Sequence, residues 1–141
     1  MDMLHAYYSL KDALVATNDA EAVKTASRLM YAGENFKLSI ASSPKNSQLL
    51  APTKTVIEKS DAVSSSKPDS IEYKRARFAE ISDAIFNIMK MAELKHAGVY
   101  QAFCPMAFDN KGAYWLSSEN EIKNPYFGKK MLECGEVRDS L

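Results

Sequence analysis

The sequence predicts a mainly α-helical domain, an antiparallel four-helix bundle with a small C-terminal β-hairpin and a short terminal helix. Three observations predict it. Apolar residues recur at three- and four-residue spacing through the first two thirds of the chain, the period of a helix face. Four such segments are joined by short polar links, as in an up-and-down bundle. After Gly98 the texture changes to short, aromatic, β-prone runs. The chain has 141 residues, 46% hydrophobic and 26% charged, which fits one domain with its own core. Residues 1–97 read as the bundle and residues 98–141 as a hairpin plus short helix packed on it.

Leu4, Tyr7, Tyr8, Leu10, Leu14 and Val15 give the first helix its apolar face, ending near Thr17-Asn18-Asp19. Asn18 or Asp19 caps the second helix, with Glu21 in its first turn, where a carboxylate suits the positive end of the helix dipole. Ala22, Ala26, Leu29, Gly33, Phe36 and Ile40 form its stripe. A link at Ser42-Ser43-Pro44-Lys45-Asn46-Ser47 precedes a weaker third helix marked by Leu49, Leu50, Val56, Ile57 and Val63. Pro52 must occupy its first turn or kink it. Ser64-Ser65-Ser66-Lys67-Pro68 is the next link, and Asp69-Ser70-Ile71-Glu72 reads as an Asp-capped start with Glu in the reciprocal position. Ile71, Phe78, Ile81, Ile85, Ile88, Met89 and Ala92 line the fourth helix, expected to end before Gly98.

Val99-Tyr100-Gln101-Ala102-Phe103 and Ala113-Tyr114-Trp115-Leu116 flank a turn signal, Asp109-Asn110-Lys111-Gly112, and predict the hairpin. Asn124-Pro125 predicts the start of the last helix, closed by Gly135. A tail of about forty residues makes a poor core alone. Trp115, Tyr126 and Phe127 are therefore expected to anchor it on the helices.

Eighteen basic and eighteen acidic residues leave no net charge. That balance argues against a nucleic-acid or anionic-membrane surface. The one basic run, Lys74-Arg75-Ala76-Arg77, reads as a solvated helix face. No apolar run approaches the ~18 residues of a membrane span. Met1-Asp2 leads straight into an amphipathic pattern without a signal-peptide signature, and composition leaves cytosolic and exported locations both open. No nucleophile elbow, glycine-rich phosphate loop or HExxH motif occurs. Glu119, Glu121 and Glu133 have no partner constellation, so the chain reads as a non-enzyme.

The chemistry-bearing residues are the two cysteines, each with a methionine two or three positions away: Cys104 with Met106, and Cys134 with Met131. An extended Cys104-Pro105-Met106 turns both sulfurs the same way. Met131 and Cys134 share a face of the predicted helix. Two such pairs facing each other make a sulfur donor set suited to Cu(I), with His96 as a weaker further ligand. His96 also fits a helix C-terminal capping role, and His5 a boundary position on the first helix. Three fates stay open for the cysteines: a structural disulfide, metal-competent thiols, or inert buried thiols beside core methionines. The disulfide would close a ~30-residue loop and stabilise by roughly 3–4 kcal/mol. No CxxC motif points to structural zinc. The sulfur separation discriminates. About 2 Å is a disulfide, roughly 3.5–4.5 Å beside a methionine is a site one soft ion bridges, and beyond ~8 Å the metal geometry is lost.

Several motifs carry a family resemblance: Tyr8-Ser9-Leu10-Lys11-Asp12-Ala13-Leu14, Arg77-Phe78-Ala79-Glu80-Ile81-Ser82, Cys104-Pro105-Met106-Ala107, Gly112-Ala113-Tyr114-Trp115-Leu116-Ser117, Glu121-Ile122-Lys123-Asn124-Pro125-Tyr126-Phe127-Gly128 and Met131-Leu132-Glu133-Cys134-Gly135. With these the chain resembles an uncharacterised bacterial domain family. Its members are small exported proteins or lipoproteins, and related domains end the periplasmic adaptor subunits of heavy-metal efflux systems. The resemblance implies a periplasmic or otherwise exported protein whose signal segment is absent from this sequence. It implies Cu(I) or Ag(I) as the ion and an efflux adaptor or other envelope protein as the partner. Many relatives in that family place a His shortly before Cys-Pro-Met; here Tyr100-Gln101-Ala102-Phe103 stands there, so that His is lost or His96 replaces it. The alternative is a non-enzymatic interaction module with a Cys104–Cys134 disulfide.

Overall fold

A computed structural model describes residues 1–94 and 97–141. It is mainly helical, with a small three-stranded antiparallel sheet at the C-terminal end. Helices α1 (Asp2–Val15), α2 (Asp19–Ala41), α3 (Leu50–Ser64) and α4 (Ile71–Met91) each pack on their sequence neighbour, and α4 also reaches α1. Asn18 is the cap of α2: its side chain accepts the Glu21 N–H at 3.1 Å. Pro52 sits in the first turn of α3, where its missing N–H leaves no helical bond unmade.

The entry to α4 differs from expectation. Its cap is Ser70, without a side-chain cap bond, and Asp69 lies outside the helix at φ +58°. The Ser70 N–H instead donates to the Asp19 carboxylate at 3.0 Å. A residue from the start of α2 therefore does the capping expected of Asp69. The same carboxylate holds the Lys74 ammonium at 2.8 Å. Lys74 is completely buried and donates also to Lys67 O and Ser70 Oγ, both at 2.9 Å. Arg75 beside it is only 4% exposed. The basic run is thus no solvated face: Lys74 is satisfied by Asp19, Lys67 O and Ser70 Oγ, and Arg75 by Leu14 O, Thr17 Oγ1 and Pro125 O.

Burial, the largest influence on Asp19, pushes its carboxyl up, yet Lys74 and the backbone N–H groups of Asp69 and Ser70 hold it below the ordinary value. A depressed folded value contributes stability that is complete above the unfolded value near pH 4. That contribution is lost as pH falls through the folded value. Urea unfolding at about pH 5 and about pH 2.5 is expected to show a larger acid loss for the native chain than for Asp19→Asn.

The sheet has the order β2-β1-β3, with β1 (Tyr100–Cys104) central, β2 (Ala113–Ser117) on one side and β3 (Glu136–Ser140) on the other. The expected hairpin is present as β1–β2, with Ala102 opposite Trp115 and Cys104 opposite Ala113. The third strand was not foreseeable from alternation: all five β3 residues are exposed. The predicted terminal helix is replaced by a single 3₁₀ turn, Gly128–Met131. Between β1 and β2 lies α5 (Ala107–Asn110), one turn in which Phe108, Asp109 and Asn110 take φ values of +53°, +56° and +67°.

β2 packs on α4, and an aromatic cluster fills the join. Tyr7 from α1 stacks on Phe78 from α4 at 4.9 Å between centroids. Tyr126 lies edge-on to Trp115 and Phe108 and tilted to Phe78. Trp115 and Tyr126 are buried as predicted, whereas Phe127 is only half-buried. The Tyr7 hydroxyl bonds Ser82 Oγ at 2.7 Å and accepts the Leu116 N–H at 2.8 Å, so one phenol joins α1, α4 and β2. Full burial raises its pKa, which keeps it neutral. Tyr7→Phe strands the buried Leu116 N–H and is expected to cost about 1–3 kcal/mol in chemical denaturation.

Candidate functional site

The register of β3 creates the site. Phe103 pairs with Glu136 across β1 and β3, so the residues just before Glu136 run alongside the end of β1. Cys104 is the last residue of β1, and Cys134 lies two positions before β3. Their sulfurs stand 3.5 Å apart. Both thiols are free. The disulfide alternative is therefore overturned: a covalent bond needs about 2.05 Å between sulfurs, and these two are in hydrogen-bond contact instead.

Strand alternation explains the burial. In β1, Ala102 and Cys104 point inward and are buried, whereas Phe103 faces the other way under the Arg138 guanidinium, 4.4 Å from its centroid. Cys104 has no solvent exposure, while Cys134 is half-buried. Burial first, then the hydrogen bond and charge interaction with Cys104, push the Cys134 thiol above its ordinary pKa. The Cys134 thiol is therefore protonated at neutral pH.

Gly135 allows the close approach. It takes φ +136°, and a Cβ there would lie 2.8 Å from the Trp115 ring and 2.9 Å from Phe103 O. A side chain at this position would push Cys134 away from β1. Asn124 fixes the segment from behind. Its Nδ2 donates to Cys134 O at 2.8 Å, its N–H to Leu132 O at 2.7 Å, and its Oδ1 accepts the Tyr126 N–H at 2.8 Å. This buried Asn closes a turn on itself rather than capping a helix, which is why no helix follows Pro125.

The segment is tied to the helices by Arg75. Its Nε donates to Pro125 O at 2.8 Å, and its Nη2 donates to Leu14 O and Thr17 Oγ1, both at 3.1 Å. Gly128 passes directly beneath: at φ +58°, a Cβ would meet Thr17 Oγ1 at 2.6 Å and the Arg75 guanidinium at 3.0 Å. The chain from α4 through Arg75, Pro125, Asn124 and Cys134 to Cys104 is thus continuous.

The predicted ligands are not all brought together. Met131 ends the 3₁₀ turn, and its carbonyl accepts the Cys134 N–H at 3.1 Å. Met131, Leu132, Glu133 and Cys134 line one open recess. Met131 and Cys134 thus share a face, though through a turn rather than a helix. Cys104-Pro105-Met106 is not extended: the chain turns at Pro105, Met106 takes helical angles, and its side chain is 46% exposed while Cys104 is buried. The expectation that the two sulfurs point the same way fails for that reason. His96 lies outside the described residues, and His5 is exposed on α1. Among the described residues, no three His, Cys, Asp or Glu side chains cluster where they could hold a metal ion together. The two cysteine sulfurs are in contact, and Met131 and Glu133 share the recess that Cys134 borders. Among the described residues, too, no helix is long and apolar enough to cross a membrane.

A model of a family described as a protein of unknown function, DUF3347, matches residues 3–97. The match spans the four helices, Arg75 included, and stops before the C-terminal segment that carries both cysteines. No curated protein and no solved structure matches the chain.

Proposed function

The chain belongs to the DUF3347 family, whose function is unknown, and we propose from its own residues that it is a soft-metal-binding domain for Cu(I) or Ag(I) rather than an enzyme. One observation carries this reading: two free thiols 3.5 Å apart, one of them on a recess shared with a methionine. Two sulfurs each about 2.3 Å from one ion lie at most about 4.6 Å apart. A 3.5 Å separation falls within that span, so one ion fits between the thiolates with little movement. Thiolates and thioethers favour soft ions over Mg²⁺ or Ca²⁺. In this reading Cys104 and Cys134 are the ligands, and Met131 stands at the rim as a third donor. Met106 and His96 are not needed for it.

The helices, read as an up-and-down four-helix bundle, serve as the rigid support from which Arg75 and Asn124 set the position of Cys134. Export, a periplasmic location and an accessory role toward an efflux adaptor complete the proposal. These parts rest on the resemblance of the Cys-Pro-Met and Met-Leu-Glu-Cys-Gly segments to exported domains. The test is an anaerobic titration of reduced protein with Cu(I) against a chromophoric Cu(I) chelator. One ion withdrawn per chain is expected. Failure to withdraw any copper from a chelator of micromolar affinity would sink the reading.

A further inference from the structure

We infer that the site is loaded and emptied from one side only, by stepwise ligand exchange through Cys134, with a Cu(I)–thiolate complex as the metal donor. This rests on the dithiol reading above and adds the route and the class of donor. The two thiols are unequal. Cys104 has no solvent exposure at the end of β1, whereas Cys134 borders the open recess with Met131, Leu132 and Glu133. An ion arriving from solvent meets Met131 and Cys134 first and Cys104 last. The rim is also built in advance. Asn124 holds both Leu132 O and Cys134 O, so the backbone on either side of Glu133 is fixed before the donor arrives.

The exchange balances without any change of oxidation state. The donor is a Cu(I) ion held by two small-molecule thiolates, the form soft sulfur ligands impose on this ion. In the first step a Cu–S bond to Cys134 forms and one donor Cu–S bond breaks. The Cys134 proton passes to the departing thiolate, which leaves as a thiol. The second step repeats this at Cys104. Overall, one Cu(I) bis-thiolate and two protein thiols give the Cys104–Cu–Cys134 unit and two free thiols. Met131 acts in the passage as a transient thioether ligand.

The test is stopped-flow loading of the reduced full chain from Cu(I)–glutathione, with equilibrium affinity measured in parallel. A loading rate proportional to donor concentration is expected. Met131→Leu should lower that rate about tenfold while changing the affinity less, the scale on which outer contacts tune a metal site. Cys134→Ser should abolish loading, with circular dichroism showing that the partly exposed substitution leaves the fold intact. A rate that stays constant as donor concentration rises would mean that an internal opening gates access, and would overturn the inference. An unchanged rate in Met131→Leu would also overturn it. Absence of equilibrium Cu(I) binding removes both this inference and the dithiol reading, whereas binding with concentration-independent loading removes only this one.

Discussion

Cys104→Ser is expected to lower the Cu(I) affinity of the reduced protein by more than about 100-fold. Loss of a group that only orients a ligand costs about 10–100-fold in comparable sites, so loss of one of two direct sulfur ligands must exceed that. A hydroxyl is a hard donor and does not replace a thiolate for this ion. Because Cys104 is fully buried, the substitution also places a hydroxyl in an apolar setting. Cys134→Ser is the companion variant, since that residue is partly exposed and tolerates a polar atom. Both are expected to fold and both to lose the ion. Native affinity itself should fall as pH falls. Burial and the neighbouring Cys104 hold the Cys134 thiol above its ordinary pKa, so protons compete with the metal throughout the neutral range. A competitive chelator titration at two pH values reads both effects. An affinity in Cys104→Ser equal to the native value removes the proposed ligand set.

Arg75→Met is expected to destabilise the protein by about 1–3 kcal/mol and to loosen the C-terminal segment from the helices. Arg75 satisfies Pro125 O, Leu14 O and Thr17 Oγ1 in a buried setting. Methionine fills similar volume but leaves Pro125 O without a donor, at about 1–3 kcal/mol, while Leu14 O keeps the Thr17 N–H at 3.1 Å. The Glu72 contact adds little, because that carboxylate is 77% exposed. Arg75→Lys should not restore the native value, since a single ammonium cannot reach groups arranged around a planar guanidinium. Urea unfolding followed by Trp115 fluorescence and by far-ultraviolet circular dichroism measures the two parts together. Separation of the two transitions in Arg75→Met is the expected sign that the sheet has uncoupled from the helices. A loss below about 0.5 kcal/mol would show that Arg75 is a bystander.

The helices were legible because each carries its own signal. The stripe of α2 and the Asn18 cap are local, and tertiary packing reinforces them. The start of α4 differs from its local pattern because the carboxylate that accepts the Ser70 N–H belongs to Asp19, 51 residues away, and no local pattern encodes such a contact. The buried state of Lys74 and Arg75 was hidden for the same reason. Cationic side chains are usually solvated, and only residues distant in sequence, Asp19 for Lys74 and Leu14, Thr17 and Pro125 for Arg75, make burial tolerable here. The approach of the two cysteine segments was anticipated from their sulfur content, but not what brings them together. That role belongs to β3, whose Glu136-Val137-Arg138-Asp139-Ser140 sequence is polar and exposed. An edge strand paired on one side needs no buried face, so alternation gives no sign of it. Asn124-Pro125 resembled a helix start because the Asx turn that Asn124 forms uses the same side-chain oxygen to bond a backbone N–H two residues on.

The central claim is that Cys104 and Cys134 bind one soft ion between them. X-ray absorption at the copper edge, on reduced protein loaded with one equivalent of Cu(I), tests it most directly. The account predicts a first shell of two or three sulfur scatterers at about 2.2–2.3 Å, the sulfur distance typical of thiolate–metal bonds. A first shell made only of nitrogen or oxygen scatterers would contradict it.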